Sequence, residues 1–253
     1  MVILGGLGIN LLASIVFAVL GFIAARTYDT YRKRRMLGHV YSLLSSGRGI
    51  TVVFPPGTIV PTSEGRPVNA IRMSLAEGAA IARIGQICRD ARTGTDMYLV
   101  HPDDHSPNSG SFVMLGDPAR SAWSKSWLEK NFHQLQFIPD ERRLKYDNAS
   151  WETRIVNGVA RQDFGFIVVG RTNAQIPFVL LWGASEFGTN IAARAYGDLH
   201  RQLSGERYRR VLAGEPWLFV ARADVEKYGV RTDDVSNVSV VAAYRAHSVM
   251  QGS

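Results

Sequence analysis

Two uninterrupted apolar runs decide the fold class: Phe164-Gly-Phe-Ile-Val-Val169 and Phe178-Val-Leu-Leu-Trp182. Both are bounded by Gly, Asn or Pro, and short continuous runs of this kind are typical of strands buried on both faces. Similar runs at Ile50–Phe54, Met97–Val100 and Phe112–Leu115 alternate with helical patterns. The alternation predicts a Rossmann-like α/β domain, with a mainly parallel sheet that is covered by helices on both faces.

The helical patterns between these runs carry recognisable start signals. Ser74 is followed three residues later by Glu77, which is a capping-box motif. Asp117 suits the cap of a second helix, and a third helix is predicted over residues 189–203. Residues 139–162 give no clear assignment.

Length and composition limit the protein class. The chain has 253 residues, of which 46% are hydrophobic and 20% charged. These values are those of an ordinary globular chain, and they exclude collagen, low-complexity disorder and a polytopic membrane protein. The single cysteine, Cys88, excludes a disulfide framework and any multi-cysteine metal site.

The positive charge is concentrated near the N-terminus. The formal net charge is +7, and residues 26–35 contain five basic side chains and one acidic, a net +4. The remaining excess is spread thinly over more than 200 residues. That distribution is not the footprint of a protein that binds a nucleic-acid duplex.

The N-terminal segment has the pattern of a membrane anchor. Residues 2–25 contain no charged side chain, and 24 residues in a helix would span roughly 36 Å. A cleaved signal peptide would have a basic start and a shorter apolar run. The sequence therefore predicts a transmembrane helix over residues 1–25 and a basic juxtamembrane helix or linker over residues 26–49.

The basic cluster also predicts the orientation of the chain. By the positive-inside rule, residues 50–253 are expected on the cytoplasmic side, as the ligand-sensing domain of a single-pass protein in the inner membrane. Small or polar residues recur on one face of the predicted helix, and we expect this face to mediate self-association as a homo-oligomer. They are Gly6, Asn10, Ser14, Ala18, Gly21 and Ala25.

The strongest candidate for a binding loop runs from Gly183 to Thr189. It connects a predicted strand to a predicted helix, where backbone N–H groups and the helix N-terminus favour an anion such as phosphate. Ser185 and Thr189 add hydroxyl donors, and Gly183 and Gly188 leave room for a ligand. The alternative is a turn whose glycines only permit tight packing.

Three other loops could complete the same cleft. Gly116, Asp117 and Arg120 follow a predicted strand, and Arg120 could pair with a phosphate. Gly57 follows the first strand. In a parallel sheet these loops would meet at one edge, where ligands of α/β proteins bind.

The fourth loop contains Arg171 and Asn173, which follow the strand at residues 164–169. At this place the arginine could bind a negatively charged group, and the asparagine could form hydrogen bonds to the edge of a base. A simple turn is the alternative.

Catalytic patterns are few. His101 and His105 have metal-compatible side chains, but no third ligand can be identified, and we expect no metal and no cofactor. Asp117, Asp163 and Glu186 are the carboxylates nearest the predicted cleft. Nothing pairs them with a base or metal, so the sequence indicates binding rather than catalysis and leaves enzymatic activity open.

The strand, glycine turn and alanine-rich helix of residues 178–197 resemble the phosphate loop of LOG-like nucleotide hydrolases and the related SLOG sensor domains. The resemblance implies a Rossmann-like fold that binds a nucleotide. In the family, two adjacent glycines precede Gly-Thr and a catalytic Glu follows in the helix. Here Ala184 and Ser185 replace the glycines, and residues 190–193 contain no Glu.

The order of predicted segments also resembles bacterial anti-phage effectors, which join a membrane helix to a cytosolic sensor of a nucleotide second messenger. The resemblance implies a protein whose nucleotide-type ligand alters the assembly of its membrane helices. A membrane-tethered enzyme acting on nucleotides or nucleosides, using Asp117 or Glu186, is one alternative. A ligand-free membrane scaffold is another.

Overall fold

The computed structural model of the chain describes residues 14–29, 31, 50–54, 60–61, 67–68, 74–90, 96–118, 121–185, 187–203, 205–226 and 235–246. The chain divides into two compact units, Met1–Gly38 and His39–Ser253. All strands of the described residues belong to the second unit, which is the α/β domain.

The strands of the described residues fall into three sheets. In chain order they are β1 (Ile50–Val53), β2 (Val60–Pro61), β3 (Pro67–Val68), β4 (Met97–Val100), β5 (Phe112–Leu115), β6 (Gln136–Ile138), β7 (Arg143–Tyr146), β8 (Ala149–Glu152), β9 (Arg154–Val156), β10 (Val159–Arg171), β11 (Pro177–Gly183), β12 (Trp217–Val225) and β13 (Val235–Arg245).

The helices of the second unit lie between these strands. They are α1 (Leu75–Asp90), α2 (Ala122–Asn131), α3 (Gly188–Gly197), α4 (Leu199–Gln202) and α5 (Gly205–Leu212). Among the described residues, single 3₁₀ turns include Pro102–Asp104 and Pro139–Glu141.

The main sheet has eight strands in the order β13-β12-β10-β11-β5-β1-β4, with β9 paired to β10. Strands β4, β1, β5 and β11 are parallel to one another. Strand β10 is antiparallel to both β11 and β12, and β13 is antiparallel to β12. The expected α/β class is correct, but the sheet is mixed, and the prediction of a mainly parallel sheet is wrong.

The direction of β10 follows from the length of its connection to β11. Strand β10 ends at Arg171 and β11 begins at Pro177, so only residues 172–176 join them. A crossover between parallel strands needs a dozen or more residues. Five residues allow only a hairpin, and Arg171 accordingly pairs with Pro177 across it.

The sheet is covered on both faces, as the sequence predicts. On one face Trp127 of α2, Phe132 directly after it and Leu144 of β7 join a buried cluster with sheet side chains such as Phe166 and Trp182. On the other face α3 contacts β10, β11 and β12, and α1 packs against α3.

The predicted capping box of α1 is confirmed. The backbone N–H of Ser74 donates to Oε2 of Glu77 at 2.8 Å, and the N–H of Glu77 donates to Oγ of Ser74 at 3.1 Å. The start of α2 lies later than expected, because Ser121 rather than Asp117 is its N-cap and accepts from the N–H of Ser124.

Residues 139–162, which could not be assigned from the sequence, contain two tight hairpins. Strands β7 and β8 are joined by Asp147 and Asn148, and β9 and β10 by Asn157 and Gly158. Asp147, Asn157 and Gly158 have φ of 54°, 53° and 75°. Positive φ is what a two-residue hairpin of the favoured twist requires, and Asn-Gly supplies it at low cost.

The expected transmembrane helix is a second correction to the fold class. Residues 14–29 are helical. No helix among the described residues is long and apolar enough to cross a membrane. Residues 1–13 of the predicted span lie outside the described part of the chain.

The predicted stripe of small residues is described only in part. Gly6 and Asn10 lie outside the described residues, whereas Ser14, Ala18, Gly21 and Ala25 are exposed on the helix. A Cβ added at Gly21 would meet no atom within 4 Å. Self-association through this face stays a prediction.

Candidate functional site

Strands β4, β1, β5 and β11 all end at the same side of the sheet, here termed the carboxyl edge. Gly116 follows β5 and the loop from Gly183 follows β11, so the structure brings these two predicted segments to neighbouring strand ends. The N–H of Gly116 donates to the carbonyl of Leu181 at 2.9 Å. Gly116 has φ of 82°, a conformation that favours glycine.

The glycines of the second loop permit a close approach of helix and sheet. A Cβ on Gly183 would lie 2.3 Å from Cα of Gly188, and one on Gly188 would lie 2.3 Å from the carbonyl oxygen of Phe164. Gly165, opposite Gly183 on β10, has the backbone N of Ala192 at 2.4 Å from the same ideal position. The N-terminal turn of α3 therefore rests directly on β10 and β11.

Other groups of this loop are also engaged with protein atoms. Thr189 is 6% exposed and Asn190 is 4% exposed, although both stand in the first turn of α3. The N–H of Ala184 donates to the carbonyl of Phe164 at 3.0 Å. These contacts favour the packing role that the sequence left open for the glycines, and phosphate binding by the loop stays a prediction.

A buried carboxylate organises the polar contacts of the loop. Asp163 is 0% exposed and accepts three hydrogen bonds. The hydroxyl of Ser185 donates to Oδ2 at 2.7 Å, whereas the hydroxyl of Thr153 and the N–H of Phe164 both donate to Oδ1 at 2.8 Å. Asp163 thereby links β10, the loop after β11 and the residue that precedes β9.

The environment of Asp163 acts on its pKa in both directions. Removal from water raises the pKa of the carboxyl, because burial penalises the charged form. Hydrogen bonds from Ser185, Thr153 and the N–H of Phe164 lower the pKa, as does the positive charge of Arg142, but the net direction is upward. Asp163 is thus a better proton acceptor than an exposed aspartate.

Arg171 and Asn173 lie away from the carboxyl edge. Because β10 is antiparallel, Arg171 stands opposite Pro177, at the start of β11 rather than its end. The guanidinium of Arg171 donates to the carbonyl of Gln175 at 2.8 Å, and its own carbonyl accepts from Nε1 of Trp127 at 3.2 Å. The structure does not bring these two residues together with Gly116 and Gly183.

The remaining predicted site residues are described only in part. Gly57, Arg120 and the carboxylate Glu186 lie outside the described residues. Asp117 is partly exposed after Gly116. The carbonyl of Pro118 accepts from Oγ of Ser124 at 2.6 Å, which holds the start of α2 against this turn.

The structure shows a second candidate site that the sequence did not indicate. An open groove of about 730 Å³ lies between α1, α3 and the start of β13. Among the described residues that line it, the basic side chains are Arg83 and Arg89 of α1 and Arg194 of α3, and the acidic side chain is Asp198. We term it the arginine groove.

The guanidinium of Arg83 has one well-formed hydrogen bond. Its Nη1 donates to Oε1 of Gln86 at 2.8 Å, and its Nη2 lies 3.9 Å from Oδ2 of Asp198. Nε is buried and has no hydrogen-bond partner, although the side chain as a whole is 31% exposed. An acceptor that enters the groove would satisfy that N–H.

Arg194 and Asp198 have structural contacts as well. Nη1 of Arg194 donates to the carbonyl of Val235 at 2.8 Å, which fastens the first residue of β13 to α3. Asp198 also lies 3.5 Å from Nη1 of Arg201. Polar side chains of Asn190 and Ser236 complete this end of the groove.

The arginine groove lies near the carboxyl edge. Gly165 pairs with Gly183 on one side and with Ala221 on the other, and Ala221 pairs with Val240 of β13. Ser236, which lines the groove, is four residues before Val240, further toward that edge. The groove and the predicted loop therefore occupy the same end of the domain.

Other titratable groups of the described residues include Cys88 and His105. Burial raises the pKa of the Cys88 thiol to about 11, so the thiol stays protonated near neutral pH. Burial lowers the pKa of His105, whose ring lies 4.4 Å from that of Phe112. Within the described ranges there is no group of three or more His, Cys, Asp or Glu side chains that could hold a metal ion.

Sequence reasoning missed the groove, although a signal was present. Asn190, Arg194 and Asp198 recur every four residues, which places them on one face of a helix otherwise rich in alanine. Arg83 and Gln86 are three residues apart, a spacing that also places two side chains on one helix face. Asp163 is likewise notable, since an acidic residue directly precedes a buried apolar run.

Comparisons of the chain with protein-family models, with curated proteins and with solved structures return no match. The resemblance of residues 178–197 to LOG-like and SLOG domains stays a prediction.

Proposed function

We propose that the α/β domain is a binding module for a phosphate-bearing anionic small molecule, with a nucleotide as one candidate, and that the arginine groove is its site. The observation that carries the proposal is the set of three arginines around one groove, with Nε of Arg83 buried and without a hydrogen-bond partner.

The charge of the groove suits an anion. The described residues that line the groove include three arginines and one carboxylate, Asp198. Guanidinium groups bind phosphate through two parallel N–H···O bonds, which supply affinity and orientation together. Amide side chains at Gln86 and Asn237 could add neutral hydrogen bonds to a sugar or a base.

The size and position of the groove also support the proposal. Its volume of about 730 Å³ falls in the range of small-molecule sites. It lies toward the carboxyl edge, and ligands of open α/β sheets bind beyond the carboxyl ends of strands.

The direct test is calorimetric titration of the full chain with inorganic phosphate, pyrophosphate and a panel of linear and cyclic nucleotides. Arg83→Gln and Arg89→Gln are expected to weaken binding at least about tenfold, because each removes a charge-assisted hydrogen bond. Arg222→Gln is the matched control, since Arg222 is exposed on β12 outside the groove.

Asp198→Asn provides a test of opposite sign. Removal of the Asp198 carboxylate takes a negative charge out of the groove, so we expect tighter anion binding that weakens as salt is raised. Binding that the two arginine variants and Asp198→Asn all leave unchanged would place the ligand elsewhere. Absence of binding by every compound in the panel would contradict the proposal itself.

The other functional expectations stand as predictions. They are the location at the cytoplasmic membrane, self-association, and coupling of ligand binding to anti-phage defence.

A further inference from the structure

We propose that Ser185 and Asp163 form a nucleophile and base pair, in which the Ser185 hydroxyl attacks the carbonyl carbon of a neutral ester. This activity does not rest on the arginine groove, and it assigns a role to the buried carboxylate that ligand binding in the groove does not use.

The geometry is that of an activated hydroxyl. An enzymatic nucleophile needs a base within hydrogen-bond reach, and a third group must orient that base. Here Oγ of Ser185 lies 2.7 Å from Oδ2 of Asp163. Thr153 and the N–H of Phe164 both bind Oδ1, so they hold the carboxylate with its second oxygen directed to Ser185.

A nucleophile must be exposed to its substrate, whereas its base can be buried, and Ser185 and Asp163 differ in this way. Asp163 is 0% exposed, whereas Ser185 is partly exposed in the loop after β11. A substrate can therefore reach the hydroxyl without reaching the base. Thr153 is a positioning residue, since it touches Asp163 and not the hydroxyl that reacts.

The reaction balances with water as the only co-reactant. Oγ of Ser185 forms a bond to the carbonyl carbon while its proton passes to Oδ2 of Asp163. The ester C–O bond then breaks, and Asp163 returns the proton to the leaving alkoxide, which departs as an alcohol. Water then attacks the acyl carbon on Ser185 while Asp163 accepts the water's proton. The bond between the acyl carbon and Oγ breaks, the acyl group leaves as a carboxylic acid, and Asp163 returns the proton to Oγ.

The charge of the pair selects the class of electrophile. Because Oδ2 of Asp163 lies 2.7 Å from the attacking oxygen, a phosphate dianion bound for attack would lie close to the carboxylate and would be repelled by its charge. A neutral carbonyl carries no such penalty. The inferred substrates are therefore uncharged or weakly charged esters rather than phosphate monoesters.

If the hydrogen bond between Ser185 and Asp163 has only a structural role, the expected reactivity of Ser185 is different. If Ser185 only ties the loop to β10, its hydroxyl reacts no faster than that of any exposed serine. Stability measurements cannot separate the two roles, whereas covalent labelling can.

The test is incubation of the full chain with p-nitrophenyl acetate, followed by release of p-nitrophenolate and mapping of the acetyl group by mass spectrometry. We expect one acetyl group on Ser185, none in Ser185→Ala, and wild-type labelling in Ser150→Ala, in which an exposed serine of β8 is removed. Asp163→Asn is expected to slow acetylation on the order of 10²-fold.

The pH profile gives a readout that a structural role would not move. Acetylation of the wild type is expected to rise with pH as Asp163 loses its proton, and Asp163→Asn is expected to lose that dependence. Circular dichroism of each variant confirms that the fold is intact. Acetylation at lysines alone, or equal rates in the wild type and Asp163→Asn, would overturn the proposal.

Discussion

The hydroxyl of Ser185 lies 2.7 Å from Oδ2 of Asp163, and this contact joins a loop to a strand 22 residues earlier in the chain. Asp163 is fully buried, so each of its three donors replaces water that the carboxylate has lost. The stability of the carboxyl edge should therefore depend on whether the residue at position 163 still accepts hydrogen bonds from these donors.

The first prediction separates two substitutions of Asp163. In Asp163→Asn, Oδ1 still accepts from Thr153 and Phe164, and the new amide N–H can donate to Oγ of Ser185. We expect a change in unfolding free energy within about 1 kcal/mol. Asp163→Ala leaves the buried donors of Thr153 and Phe164 and the partly exposed hydroxyl of Ser185 without this acceptor, and it should cost about 3 kcal/mol or more. Urea unfolding of both variants measures the difference, and equal losses would contradict the account of this network.

The second prediction concerns pH. Burial raises the pKa of Asp163 in the folded chain, so the folded state holds the proton more tightly than the unfolded state. The contribution to stability is then fully present below the unfolded-state pKa of about 3.9 and declines as pH rises through the higher folded-state value. The free energy of unfolding of wild type relative to Asp163→Asn should fall with rising pH over that window. A difference that rises with pH would show that the hydrogen bonds lower the pKa of Asp163 by more than burial raises it.

The third prediction concerns the contact between α3 and the sheet. Gly165→Ala places a methyl carbon 2.4 Å from the backbone N of Ala192, and backbone atoms cannot move aside as a flexible side chain can. We expect a loss of about 3 kcal/mol or more. Gly205→Ala is the control, because a Cβ there meets nothing within 4 Å. Thermal unfolding of the two variants should differ by several degrees.

The fourth prediction concerns Cys88. Burial raises the pKa of its thiol to about 11, so the reactive thiolate is scarce at neutral pH. Iodoacetamide should modify the folded chain slowly and the urea-unfolded chain rapidly. Fast modification under native conditions would mean that the thiol is more exposed than the packing of α1 implies.

The fifth prediction concerns the start of α1. Ser74→Ala removes the acceptor of the Glu77 N–H and should lower stability by about 1 kcal/mol. Ser150→Ala, at an exposed serine of β8, should change it little. Urea unfolding measures both.

The local elements could be predicted because short-range physics determines them. The capping box of Ser74 and Glu77 depends on only two residues, so it can be recognised in the sequence. The apolar runs at 112–115 and 178–182 form strands, as expected for short runs whose side chains are buried on both faces of a sheet. The helix predicted over residues 189–203 ends earlier, at Gly197, and a separate turn of helix follows.

Strand direction was the main error, and the spacing of the strands could have prevented it. Apolar content shows that a strand is buried but not which way it runs, whereas the five residues 172–176 are too few for a crossover. Asn157-Gly158 was likewise a readable hairpin signal. The wrong strand direction also affects the predicted site. It places Arg171 in the cleft at the carboxyl edge, whereas Arg171 lies at the opposite end of the sheet.

The arginine groove could not be predicted to the same degree. Its walls come from α1, α3 and β13, and only the fold brings together Arg83, Arg194 and Ser236. Periodicity can place Arg194 on a helix face, but it cannot say which surface that face meets.

The mixed sheet also has a consequence for the order of folding. The pairing of β10 with β11 closes a loop of only five residues, 172–176, whereas β1 reaches β5 only after the chain from Val53 to Phe112 has been brought back. Loop-closure entropy grows with loop length, so contacts distant in sequence form late. In pulse-labelling hydrogen exchange the amides of the β10–β11 hairpin should gain protection first, and those of the parallel strands β1 and β4 last.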